Sequence, residues 1–299
     1  MGQEGITYHN YGKLQALRGL SLVGKMKVAM DGKLSRRAFL AAPLPLLLAP
    51  RLAWSQAQAK NPQRQVYDFA VDVGVMWDFF TLAMTGTVTQ EIDLASGRYR
   101  TVLVGEGSSI TAHTEASGII REGRYVPIET HSRSSVRGRE GTLHLRYDYD
   151  RGTVEYHSVG HTFFLGRRRQ VDDTLKLPAG QRVDDLLSAE LNLGANKLDQ
   201  DPDGTYRTLI VRRSRADNEG PDDVSPSGYR AELVPLRFRL TPEAATGRLN
   251  ALIDITGFSS WARRNEPARV TFTSDRRLET VQSKLILGTT LKVRVKAAA

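Results

Sequence analysis

There is no cysteine among the 299 residues. Without a thiol the chain holds no disulfide, no thiolate-bound iron–sulfur cluster and no lipid-anchored cysteine, so its stability rests on its apolar core. No apolar run approaches the roughly 20 residues that a membrane-spanning helix needs. The stretch from Ala38 to Pro50 is shorter, only weakly apolar, and carries Pro43, Pro45 and Pro50. Phosphate-loop and dinucleotide fingerprints are absent. Gly257-Phe-Ser-Ser-Trp261 lacks the final glycine of a hydrolase nucleophile elbow and falls among strands, not at a strand-to-helix turn. No repeat of fixed period is present, which disfavours solenoids and propellers.

Net charge outside the first 59 residues is also small. The chain carries +9 overall, but Lys13, Arg18, Lys25, Lys27, Lys33, Arg36, Arg37 and Arg51 stand against only Glu4 and Asp31 before residue 60. That segment therefore supplies most of the excess, and the remainder gives no reason to expect a nucleic-acid partner.

The basic segment reads as a leader. Ser35-Arg36-Arg37-Ala38-Phe39-Leu40 resembles the twin-arginine export motif, followed by the short apolar stretch and a small-residue site at Ala57-Gln-Ala59. The expected outcome is export by the twin-arginine translocase, cleavage after Ala59 and a periplasmic location. Met26 and Met30 are candidate starts, so residues 1–25 can lie upstream of the true one. Residues 60–299 are expected to form a single domain.

In that domain, apolar residues alternate from Gln65 to Trp77 with the period of a half-buried strand. Similar arms are predicted over 79–94, 98–104, 110–120, 125–136, 142–149 and 153–164, then over 206–213, 229–240, 248–255, 268–273 and 278–295. The segment 216–227, rich in Asp, Pro, Gly and Ser, reads as a flexible surface loop. One helix is predicted, over 183–193: Asp184 or Asp185 as its cap, Leu186, Leu187, Ala189, Leu191 and Leu193 on an apolar arc with Glu190 inside it, and Gly194 as the left-handed terminator. The fold class is mainly β: a strongly curved antiparallel sheet, β-roll or half-barrel, with one short docked helix.

The Tyr-led first strand, Ser96-Gly-Arg-Tyr99, the segment Gly118 to Pro127, Asp185-Leu-Leu-Ser-Ala189 and Val281-Gln-Ser-Lys-Leu285 together resemble the bacterial family called domain of unknown function 3108. The resemblance spans most of residues 65–295. It implies an exported β-roll around a small helix and brings no agreed activity.

Few residues suggest chemistry. His157 and His161 lie roughly 13 Å apart along a strand, too far to share a zinc ion unless Gly160 makes a bulge. Asp199, Asp201 and Asp203, with Gly204, match the first half of a calcium loop. Position twelve is Ile210 where a bidentate Glu is needed, and Asp-Pro-Asp-Gly is a good type I turn without any ion. No cofactor is expected; calcium is the alternative this pattern leaves open. Glu190 is read chiefly as an ion-pair partner of an arginine on the sheet. Arg167, Arg168 and Arg169 are candidate anion contacts, as are Arg263-Arg264 and Arg276-Arg277. The reading that follows is a non-enzymatic envelope protein that binds an apolar or amphiphilic component, such as a lipid, or a partner protein. The alternatives are a periplasmic hydrolase using Glu190 or Asp185 near Ser188, and a structural component of an envelope assembly.

Overall fold

The computed structural model describes residues 62–77, 79–216 and 219–298, so Arg36, Arg37 and the Ala59 cleavage site lie outside the described residues. Eight strands come first: β1 Gln63–Val75, β2 Phe80–Asp93, β3 Arg98–Glu106, β4 Ile110–Arg121, β5 Arg124–Val136, β6 Arg139–Asp148, β7 Thr153–His161 and β8 Arg168–Lys176. After them come β9 Val183–Asp184, helix α1 Leu186–Gly194, β10 Asp199–Gln200, β11 Thr205–Arg213 and β12 Ala231–Arg239. The chain closes with β13 Thr241–Pro242, β14 Leu249–Ile253, β15 Ala268–Phe272, β16 Leu278–Lys284 and β17 Thr290–Ala297.

Thirteen strands form one antiparallel sheet in the order β13 to β17, then β1 to β8. Its two segments meet in the β1–β17 pair, where Tyr67 stands opposite Ala297 and Val73 opposite Leu291. The strands before and after the helix are thus one sheet, joined by the two ends of the domain. A smaller sheet holds β10, β11 and β12, with β9 parallel to β11. β12 touches both β8 and β14, so the large sheet curls until its two ends flank the same strand. It does not close on itself.

Period-two alternation decides which face is inside. On β6, Leu145 and Tyr147 are buried while Thr142 and Arg146 are exposed. The inward residues Leu145, Tyr147, Val154, Tyr156 and Val171 pack on Val183, Val211 and Ala231 of the small sheet. At the other side Ala251, Val270 and Phe272 meet Tyr206, Phe238 and Leu193. Leu191 of the helix packs with Ile92 and Tyr99. The concave side is therefore occupied by the small sheet and α1. Hairpin turns are tight: Glu122-Gly123 and Arg137-Gly138 both have positive φ at the two central positions, the conformation that suits the twist of flanking strands.

Several expected boundaries shift. The run 278–295 is two strands, β16 and β17, turned at 285–289 with Leu287 at φ 53°. β8 escaped prediction because its sequence, RRQVDDTLK, shows little apolar alternation. As an edge strand it needs little more than the buried Val171, and Asp173 accepts the Ala231 N–H (2.8 Å), tying this edge to β12. The segment 216–227 is not loose at its base: Glu219 is buried, and the Asp222 carboxylate accepts the N–H groups of Phe164 and Leu165.

The helix differs from expectation in its face and its end. Leu186 is exposed, whereas Ser188 and Asn192 are fully buried beside Ala189, Leu191 and Leu193. Gly194 is still helical; the left-handed residue is Asn196, and Lys197 N bonds Asn192 O (2.7 Å) while Asn196 N bonds Leu193 O (3.1 Å), a Schellman closure two residues later than predicted.

Candidate functional site

Adjacent strands alternate in direction, so the turns β1–β2, β3–β4, β5–β6, β7–β8 and β16–β17 share one rim of the roll, and the turns β2–β3, β4–β5 and β6–β7 share the other. The helix sits at the second end, and here the buried charged groups Arg124, Asp184 and Asp185 each have hydrogen-bond partners. Asp184 is fully buried; its carboxylate accepts from Arg124 Nη2 (2.7 Å), Thr208 Oγ1 (2.5 Å) and Asn192 Nδ2 (3.0 Å). Asn192 also exchanges two hydrogen bonds with the backbone of Tyr125, both 2.8 Å, and Arg124 donates to Lys197 O. Asp185 caps the helix through the N–H groups of Leu187 and Ser188. Its other oxygen takes the Ser188 hydroxyl (2.6 Å), whose oxygen is 2.7 Å from the Tyr99 hydroxyl. Gly118 makes that reach possible: a Cβ there would stand 2.7 Å from the Tyr99 ring and 2.1 Å from Val126 O.

Burial pushes Asp184 up to about 6, against the pull of Arg124 and Thr208, and also raises Asp185 and Glu190. Ser188 is fully buried and engaged on both sides, so it offers no hydroxyl that a substrate can reach. Glu190 accepts from Gln90 Nε2 (3.2 Å) and the Leu278 N–H, and feels the charge of Arg277. Among the described residues it makes no ion pair, which corrects the expected arginine bridge; Arg277 is turned to Asp275 and the Tyr67 hydroxyl.

The opposite rim is different in kind. Met76, Trp77, Phe79 and Phe80 at the first turn are exposed, Trp77 and Phe79 each by 79%. Trp77 N bonds Gly288 O, and the ring covers Gly288, next to exposed Leu287. Ile286 N bonds Trp261 O, and the Trp261 ring packs on Phe163 and Phe164, beside exposed Leu165. Ile286 also lines an open pocket of about 540 Å³ whose other walls include Arg212, Arg215, Arg263, Arg264 and Glu219.

Charge in this pocket is unbalanced. Glu219 is taken by Arg213 (2.6 and 3.0 Å) and lies 3.4 Å from Arg169; burial raises its pKa, but these two cations outweigh it and hold the carboxyl below its ordinary value. Arg212 reaches Glu232 through Nη2, yet its buried Nε and Nη1 have no hydrogen-bond partner among the described residues, nor does Arg215 Nε. Burial lowers the pKa of both guanidiniums. Buried unsatisfied donors on a cation are costly, and an anion in the pocket relieves them. Of the predicted anion contacts, Arg169 belongs to this cluster, Arg263 and Arg264 line the pocket, and Arg167 and Arg168 are exposed on the strand leading away. Arg276 lies over the Tyr206 ring at the helix end.

A third constellation lies on the outer, convex face. His131 on β5 stands opposite His144 on β6, which stands opposite His157 on β7, which faces Asp172 on β8. His131 and His144 stack with centroids 4.1 Å apart, and both Nε2 atoms point to Glu129 Oε1, at 3.1 and 2.9 Å. These three ligand atoms all lie within 4.8 Å of one another. His157 Nδ1 meets Asp172 at 2.9 Å. The hydrogen bond from His144 holds Glu129 below its usual range despite some burial. The group lines an open cleft of about 640 Å³. His161, four residues further along the strand from His157, faces the Glu140 carbonyl and takes no part in the row. Sequence spacing missed the row because its members are 13 residues apart on three different strands; only the register of two hairpins aligns them.

The calcium-loop candidates each face arginine. Asp199 pairs with Arg182 (2.6 Å), Asp201 with Arg207 and Arg237 (2.9 and 2.8 Å), and Asp203 with Arg239 (2.7 Å) while capping Thr205.

No family model matches the chain, and no curated protein matches it. Among solved structures, the chain is similar to a β-barrel-like protein of domain of unknown function DUF1849 from Brucella abortus, with 11% identity over 80% of this chain and 98% of that one and a TM-score of 0.36. The described residues form a β-rich domain with one α-helix and a large open antiparallel sheet.

Proposed function

We propose that this chain is an exported, non-enzymatic periplasmic protein that binds an anionic amphiphile of the cell envelope at the aromatic rim. One observation carries the reading: exposed aromatic and aliphatic tips and an arginine pocket with unsatisfied buried guanidinium donors meet on the same rim, through Ile286 and Trp261. The tips supply apolar area for an acyl chain or bilayer interface, and the pocket supplies charge for a phosphate or carboxylate headgroup. The concave interior, filled by the small sheet and helix, favours a surface contact over an enclosed ligand. Resemblance to domain of unknown function 3108 and the twin-arginine leader support the extracytoplasmic setting, and Arg36→Lys with Arg37→Lys should leave uncleaved protein in the cytoplasm.

The test is co-sedimentation with phosphatidylglycerol and phosphatidylcholine vesicles. Binding should favour the anionic vesicles, weaken with salt, and fall by roughly tenfold in Trp77→Ser with Phe79→Ser. Absence of binding to either vesicle overturns the proposal; equal binding to both removes the arginine pocket from it.

A further inference from the structure

We propose that Glu129, His131 and His144 form a surface site for a divalent zinc-class cation on the outer face of the sheet. The site is separate from the aromatic rim and does not depend on what binds there.

The ligand set is two imidazoles and one carboxylate, the three-protein-ligand combination that leaves positions open for water or a further ligand. In a tetrahedral site with bonds of about 2.1 Å, ligand atoms stand roughly 3.4 Å apart. Glu129 Oε1 lies 3.1 Å from His131 Nε2 and 2.9 Å from His144 Nε2. Those separations need to open by only a few tenths of an ångström, well within side-chain rotation for residues about half exposed. The scaffold supplies the rest: the three side chains leave a rigid two-strand ladder on the same face, Glu129 and His131 two residues apart on β5, and His144 directly across from His131.

The stacked imidazoles are informative on their own. Two rings with parallel planes at 4.1 Å, both aimed at one carboxylate oxygen, place a single point of negative charge between two nitrogens. Without an ion, Nε2–H groups on both rings donate to that oxygen; with the Nε2 atoms bare, the same three atoms can turn onto one cation. His157 is the next ring of the row, its centroid 5.9 Å from that of His144, and is turned to Asp172 through Nδ1. Charges around the cluster are otherwise committed. Glu115, across from His131, is engaged twice by Arg100 (2.6 and 2.8 Å). Arg146 stands across from both Glu129 and Glu155, and His113 and Arg133 form the next cross-strand pair.

Zinc chloride titrated into the whole chain at pH 7.5 and followed by calorimetry should show one bound ion per chain. Binding should weaken by at least roughly tenfold at pH 5.5, where protons compete for the imidazoles. His144→Ala should abolish it and Glu129→Gln should weaken it. His161→Ala should bind as the unaltered protein does. All these side chains are on the outer face, so unchanged melting temperatures without zinc will confirm folding. Cobalt(II) in place of zinc should give visible absorption bands that disappear in His144→Ala. Absence of stoichiometric zinc binding to the unaltered chain overturns the proposal, as does His144→Ala or Glu129→Gln binding zinc with unaltered affinity.

Discussion

The two ends of the roll solve opposite problems. At the helix end, Asp184, Asp185, Asn192 and Arg124 are buried, and each polar group finds a partner on another element. At the rim, large apolar side chains stand in solvent and buried guanidinium donors lack partners among the described residues. The first pattern joins the helix to the sheet with directional bonds whose loss is expensive. The second leaves surface free energy to be recovered by something that binds. Charged and polar residues thus mark stability where they are matched and a contact site where they are not.

The largest way to break this contrast is Arg124→Met. It leaves the Asp184 charge buried without its cation and the Lys197 carbonyl without its donor, and should cost about 3–5 kcal/mol, read as a fall in the denaturant midpoint. A loss below about 1 kcal/mol would mean that Thr208 and Asn192 alone hold the carboxylate.

A pH titration sharpens it. Asp184 sits near 6 in the fold against an ordinary 3.8, so between those values the folded state keeps a proton that the unfolded state has released. Stability from this group is full below the lower value and is lost as pH rises through the upper one. Asp185 and Glu190, also raised, act in the same direction. Carboxylates with lowered values, Glu115, Glu129 and Glu219, act below about pH 4.5 and in the opposite sense. Unfolding free energy should therefore decline from pH 4.5 to 6.5, and the decline should shrink in Asp184→Asn. An identical slope in that variant would place the titration elsewhere.

The smallest effect on stability is expected at the rim. Trp77→Ser removes a side chain that is 79% exposed and should change stability by no more than about 0.5 kcal/mol in thermal melts. A larger loss would show that the indole over Gly288 holds the β16–β17 turn in place, making the rim part of the fold rather than a contact surface.

Much of the architecture was legible in the sequence. Alternation located most long strands, the pair Asp184-Asp185 announced the start of the helix without saying which of the two caps it, and the absence of cysteine and of long apolar runs set the class. Missed features share a cause. β8 carries too few apolar residues to show a period, and the end of the helix moved to Asn196 because the backbone there, not the residue type alone, chooses where the left-handed step falls. The burial of Ser188 and Asn192 could not be read from the helix alone because their partners Tyr99 and Tyr125 come from strands far away in the chain.

The sequence by itself determined what is local: the period of each strand, the cap of the helix, the turns built on Gly123 and Gly138. It also determined what is compositional, a cysteine-free chain with its excess charge in the first 59 residues. Tertiary structure alone decided which distant residues meet. Pairing of β1 with β17 merged the strands on either side of the helix into one sheet, and hairpin register lined up His131, His144 and His157. Tertiary packing also brought Arg212, Arg215 and Glu219 into one pocket with Arg263, Arg264 and Ile286. A one-residue slip in either hairpin would turn part of the histidine row to the opposite face, which is why no spacing rule along the chain reveals it.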